Sequence, residues 1–233
     1  MSRGLLIAFA LGLISCGPQV TVPHAASAEL QACAKVSGEV GSIAAVVERL
    51  NALPGQPDGA CFAASVPRPL ALVATTGITS AQPANSRASP RIFLMLPALV
   101  AGVVPDGDGA KLLELGEWVT ATRTLKGELE LPVVAKVAPG DPFKHVLFSR
   151  PDTTCALCHR DETPHDSIPG AFVSVAYKPQ PGSFVSVESM AAAHEACVES
   201  GEESSRCTMW HALFDFGVVT QGAFGVGVET FVP

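Results

Sequence analysis

Five residues, Cys155-Ala-Leu-Cys158-His159, carry most of the chemistry open to this chain. Two thiols three positions apart, with an imidazole directly behind them, can do three things. They can form thioethers with the two vinyl groups of one porphyrin, which holds His159 against the iron as its proximal ligand. They can join His159 and His165 as four zinc donors, since the five residues between the histidines fall within zinc-finger spacing. Or Cys155 and Cys158 can pair as a disulfide or work as a thiol redox couple. With seven Cys and six His in 233 residues, chance supplies the pattern roughly 0.005 times per chain. Adjacent Cys158 and His159 are awkward ligands for one tetrahedral ion, and thiolate zinc sites compete poorly with oxidation outside the cell. The βαβ surroundings of a thioredoxin-like pair are missing. Covalent attachment of one c-type haem is the expectation, with zinc or no cofactor as the alternatives.

With Phe143-Lys-His145 upstream, the motif resembles that of c-type cytochromes, over little more than residues 143–159. The resemblance implies haem on Cys155 and Cys158 and iron on His159. Low-potential multihaem cytochromes often carry a Phe-x-His before the attachment motif, which implies His145 as the distal ligand, ten positions before Cys155. Met209 is the rival, similar to the His/Met arrangement of small monohaem cytochromes. It departs from that pattern because no Pro-rich loop surrounds it and it falls on an amphipathic helix, where Met is more often core. Bis-His ligation would lower the potential relative to His/Met. With neither residue bound, pentacoordinate iron would suit sensing or catalysis.

Haem attachment to such a motif happens outside the cytoplasm, and the N-terminus agrees. Arg3 precedes the apolar run 5–14, too short to span a hydrocarbon core of ~30 Å, so residues 1–15 read as a signal peptide. Its end, Leu13-Ile14-Ser15-Cys16, resembles the lipobox of bacterial lipoproteins, which implies lipidation at Cys16; an ordinary signal cleaved near residues 25–28 is the alternative. Gly17 is not the Asp that resembles an inner-membrane retention signal, so in a Gram-negative envelope the outer membrane is favoured. Residues 16–28 would be a tether carrying His24. An odd cysteine count then divides into Cys16 for lipid, Cys155 and Cys158 for haem, and four others. Pairing Cys33 with Cys61 and Cys197 with Cys207 closes the shortest loops of the three possible pairings.

The elements that must position the motif follow from periodicity. Apolar positions from Leu30 to Leu50 predict one interrupted helix over 29–53, weakened at Gly38 and Gly41. Residues 60–150 have strand character, with runs at 70–74, 91–96, 98–104, 112–119 and 124–133. In the last, Leu125, Leu129 and Leu131 point one way and Lys126, Glu128 and Glu130 the other, as in a half-buried strand. Asp106-Gly-Asp108-Gly lacks the remaining ligands of a calcium loop and reads as a hairpin turn. A strand at 171–177 precedes helices at 187–199, capped by Ser186 and stopped by Gly201, and at 204–216. His194 and His211 fall among apolar residues and read as core histidines; the acidic run 199–203 reads as a solvated loop. The tail 226–232 is expected to close a sheet edge.

The expected fold is mainly β, an antiparallel sandwich or partial barrel, with an N-terminal helix and a C-terminal helical hairpin. Residues 29–150 would form the helix and β-rich body, and 151–233 the haem-attachment and helical part packed on it. A formal charge of −7 and the lack of a basic run argue against nucleic acid as a partner. No Gly-x-Ser-x-Gly, P-loop, dinucleotide fingerprint or His-Glu-x-x-His is present. The expected role is electron transfer or haem-based sensing by an exported lipoprotein, anchored only by its lipid, with a redox partner protein. A haem-free, disulfide-stapled structural or binding lipoprotein is the alternative.

Overall fold

Ser27 opens the first helix, its hydroxyl accepting from the Leu30 amide, and the computed structural model describes residues 26–147 and 153–232. Cys16, His24 and the signal lie outside the described residues. The interrupted N-terminal helix is two helices, α1 (Ala28–Ala34) and α2 (Ile43–Ala52), parted where Gly38 takes a φ of +134° that L side chains rarely adopt. Ser42 caps α2 at the Ala45 amide, and Glu117 reaches across from the sheet to accept from the Ile43 amide at 2.8 Å. A third helix, α3 (Gly59–Ser65), stands where strand character was expected to begin. All seven of its residues are buried. A helix buried all round has no polar face, so its sequence carries no 3.6-residue alternation to read. Asp58 caps it at the Cys61 amide, and the Cys33–Cys61 disulfide ties it to α1.

The strands β1 (Leu70–Thr75), β2 (Arg91–Met95), β3 (Leu99–Val103), β4 (Leu112–Trp118) and β5 (Arg123–Glu130) form an antiparallel meander close to the predicted boundaries. After α4 (Asp141–His145) come β6 (Thr163–Pro164), β7 (Phe172–Val175), β8 (Tyr177–Lys178) and β9 (Phe184–Val185). The C-terminal hairpin is α5 (Val187–Ser200) and α6 (Ser205–Phe214), followed by β10 (Val219–Gln221) and β11 (Glu229–Thr230). Ser186 and Ser204 cap the two helices, Gly201 ends α5 in the left-handed region, and Cys197–Cys207 bridges the hairpin.

The sheet runs β10-β1-β2-β3-β4-β5-β7-β6, with β9 also on β1, nine strands in all. Because β10 joins β1 in parallel, the sheet is mixed. Among the described residues about 32% are helical and 24% strand, so the mainly-β expectation holds only in part: one large mixed sheet is accompanied by six helices. The tail corrects another expectation: β11 pairs with β8 in a separate two-stranded sheet instead of closing the main one.

Register gives the sheet two different faces. Leu72, Leu94, Ala101 and Leu115 align across β1 to β4 and are buried in one core with residues of α1, α2, α3, α5 and α6. Gly127 of β5 continues this row, and a Cβ there would stand 3.2 Å from Ile43 of α2 and Pro142 of α4. The opposite face carries a smaller cluster of Val73, Phe93 and Val100, with Met95, Trp118 and Phe224 against it. Among the described residues no helix is long and apolar enough to cross a membrane, and two disulfides accord with an exported chain.

Candidate functional site

The motif sits on a short 3₁₀ turn, Thr154–Leu157, whose start is fixed twice. The Thr153 hydroxyl accepts from the Cys155 amide, and the Thr153 amide and hydroxyl both donate to the Glu162 carboxylate, at 3.1 and 2.6 Å. The Cys155 carbonyl then accepts from the amides of Cys158 and His159. The far end is laced to β7, where the Val175 amide donates to the Arg160 carbonyl. This clamped segment covers the second face of the sheet. Between them lies a cavity of about 440 Å³, and Cys155, Cys158 and His159 all line it. A volume in this range suits a cofactor or drug-sized ligand.

Lys126 and Glu128 of β5, expected to face solvent, are buried, 9% and 8% exposed, because their face of the strand forms the cavity wall. Arg91 and Glu114, an ion pair between β2 and β4, lie on the same wall. Register places Glu114 opposite Glu128, so four charged side chains share one patch beside the apolar surface of Phe93, Val100 and Trp118. Burial pushes the Lys126 ammonium down to about 8, with Cys155 and Glu114 pulling the other way. Burial also raises the Glu128 carboxyl, with Glu114 adding to the effect and His145 opposing it. The sequence signal was the alternation of charge along β4 and β5, but alternation alone cannot distinguish a cavity wall from a wet surface.

His159 has a defined tautomer. Its Nδ1 lies 2.7 Å from the Val175 carbonyl, which can only accept, so Nδ1 carries the ring proton and Nε2 the lone pair. Lys126 Nζ stands 3.4 Å from the same nitrogen and acts as a neighbouring charge. Burial, and then Lys126, push the imidazole down to about 3, so it is neutral at physiological pH. Its ring stacks on Tyr177 at 5.4 Å between centroids and 26° between planes. A neutral imidazole with Nδ1–H on a carbonyl is oriented as metal-ligating histidines are by their outer partners.

Cys155 and Cys158 are both free thiols, not a bridge. Burial pushes the Cys155 thiol up to about 11, the reverse of what an attacking thiolate needs. Nor is the zinc tetrad assembled. Among the described residues the one group of three or more His, Cys, Asp or Glu ligand atoms within 4.8 Å of one another is His194, His211 and Asp215. His165 instead turns its Nδ1 to the Ser167 amide.

No protein-family model, curated protein or solved structure matches this chain. The fit to a porphyrin therefore stands on the residues present. Two thiols and an oriented neutral imidazole line one cavity, opposite apolar and aromatic side chains, and these residues suit a covalently held haem. Neither candidate distal ligand lines that cavity. Met209 is 2% exposed in the helix-side core, with its methyl beside Gly59, so the sheet separates it from the motif. His145 has both ring nitrogens on carboxylates, Nδ1 at 2.6 Å from Glu128 and Nε2 at 3.3 Å from Glu130.

Proposed function

We propose that this chain is an exported envelope protein, lipid-anchored at Cys16, that carries one c-type haem on Cys155 and Cys158 and binds a small ligand at the iron. His159 would be the proximal ligand through Nε2. The observation that carries the reading is the His159 Nδ1 hydrogen bond to the Val175 carbonyl, which fixes the tautomer an iron ligand requires, in a cavity that both motif thiols also line. Bound haem would supply an iron that takes small gaseous or anionic ligands and changes oxidation state by one electron.

The protein's own part is to hold that site and keep it polar in one direction. Thr153 and Glu162 set the turn that presents the two cysteines, and Val175 orients the imidazole. Phe93, Val100 and Trp118 give the cavity an apolar wall, while Arg91, Glu114, Lys126 and Glu128 place charge at one patch of it. With His145 held by Glu128 and Glu130 and Met209 on the far side of the sheet, the arrangement favours a sensing or ligand-binding role over electron transfer between two fixed axial ligands.

The test is expression in a host competent for c-type maturation, haem staining after denaturation, and a pyridine haemochrome spectrum. One covalent haem per chain is expected, absent from the Cys155→Ala/Cys158→Ala variant. The ferric protein is expected to be high-spin. A low-spin spectrum that His145→Ala converts to high-spin would return the role to electron transfer, and absence of covalent haem, or a Cys155–Cys158 disulfide found by mass spectrometry, would overturn the reading.

A further inference from the structure

On the helical side of the sheet, away from the motif, two histidines converge on one carboxylate. His194 of α5 places Nε2 2.6 Å from Asp215 Oδ1, and His211 of α6 places Nδ1 2.8 Å from Asp215 Oδ2. His211 and Asp215 are four residues apart, one helical turn, and His194 reaches them across the hairpin. The three ligand atoms all lie within 4.8 Å of one another.

We propose that His194, His211 and Asp215 form a binding site for a borderline divalent cation, of which zinc is the type. Two imidazoles and a carboxylate are the donor set such ions prefer, whereas calcium and magnesium favour oxygen alone. The hydrogen bonds already aim one ring nitrogen of each histidine at the carboxylate. An ion bonded at about 2.0–2.1 Å in tetrahedral geometry holds its ligand atoms about 3.3–3.4 Å apart, so these nitrogen–oxygen contacts would open by about 0.5–0.8 Å and the wider separations in the set would close onto the ion. Each ring proton moves to the other nitrogen of its imidazole, and the carboxylate exchanges two hydrogen bonds for one metal bond.

The frame around the site is stiff enough to hold three ligands in place. The Cys197–Cys207 bridge staples α5 to α6, and Asp215 is the C-cap of α6, its amide bonded to the His211 carbonyl. The His194 ring is stacked on Phe214 at 5.5 Å and set edge-on to His211 at 5.1 Å. The side chains are 17% exposed at His194, 20% at Asp215 and 5% at His211, so an ion can enter from solvent and keep a water as its fourth ligand. Three protein ligands and one water make an open site, suited to exchangeable metal rather than to a closed structural centre.

The experiment is calorimetric titration of the chelator-treated, disulfide-intact chain with zinc chloride, paired with cobalt chloride absorption spectra. One zinc per chain is expected, with affinity at least tenfold lower in His194→Gln and in Asp215→Asn and unchanged in Cys155→Ser/Cys158→Ser. The cobalt spectrum is expected to lack a thiolate charge-transfer band. If the variants fail to fold, ring ¹⁵N spectra of the unaltered chain decide, with zinc expected to shift His194 and His211. No zinc binding, binding that survives in the folded variants, a thiolate band that vanishes with Cys155 and Cys158, or ring shifts confined to other histidines would overturn the proposal.

Discussion

Lowering the pH of the haem-free chain should destabilise it through His159, and replacing His159 by Gln should remove that sensitivity. Its imidazole ordinarily titrates near 6.5, but burial and the neighbouring Lys126 hold it at about 3 in the folded chain. Between those values the unfolded chain binds a proton that the folded chain refuses. Stability is therefore unaffected by this group above pH 6.5 and falls as the pH drops from 6.5 toward 3. At ~1.4 kcal/mol per pH unit the whole window is worth about 5 kcal/mol, and the part between pH 7 and pH 4 about 3 kcal/mol. Gln keeps an amide donor for the Val175 carbonyl and cannot titrate. Urea unfolding followed by circular dichroism at pH 7 and pH 4 measures the difference, since titrating carboxylates contribute equally to both proteins. The expected result is a loss in the native chain about 3 kcal/mol larger than in His159→Gln. Parallel curves for the two proteins would refute the burial and tautomer argument, and with it the orientation claimed for Nε2.

Three other perturbations test the frame. Arg49 is 3% exposed and donates to the carbonyls of Val36, Gly38 and Ser65; Arg49→Met should cost about 1–3 kcal/mol in denaturant unfolding, chiefly by leaving the buried Ser65 carbonyl unpaired. A Cβ on Gly109 would stand 2.3 Å from the Pro83 carbonyl oxygen, so Gly109→Ala should lower stability by at least ~2 kcal/mol, visible as a lower melting temperature. Cys33 and Cys61 are 28 positions apart, and replacing both by Ala should cost about 3–4 kcal/mol, against about 3 for the ten-position bridge Cys197–Cys207.

What could be read from the chain itself was local. The alternation of Leu125, Leu129 and Leu131 against Lys126, Glu128 and Glu130 set the β5 strand and its faces, and Ser186, Gly201 and Ser204 set the hairpin ends, because capping and side-chain period act within a few residues. Proximity paired Cys33 with Cys61 and Cys197 with Cys207, as the bridges are made. α3 was lost because total burial erases a helix's periodicity.

The site divides along the same line. Spacing alone grouped Cys155, Cys158 and His159 as one candidate unit, since their mutual reach is set by a separation of at most four residues along the chain. Which carbonyl orients His159, which wall of charges faces it, and that Met209 lies across the sheet from it depend on packing between residues far apart in the chain, from sixteen positions for Val175 to 68 for Arg91. His194 and His211 looked like core residues because a helix face shows only what it carries. Only the packing of α5 on α6 reveals that both rings meet one carboxylate.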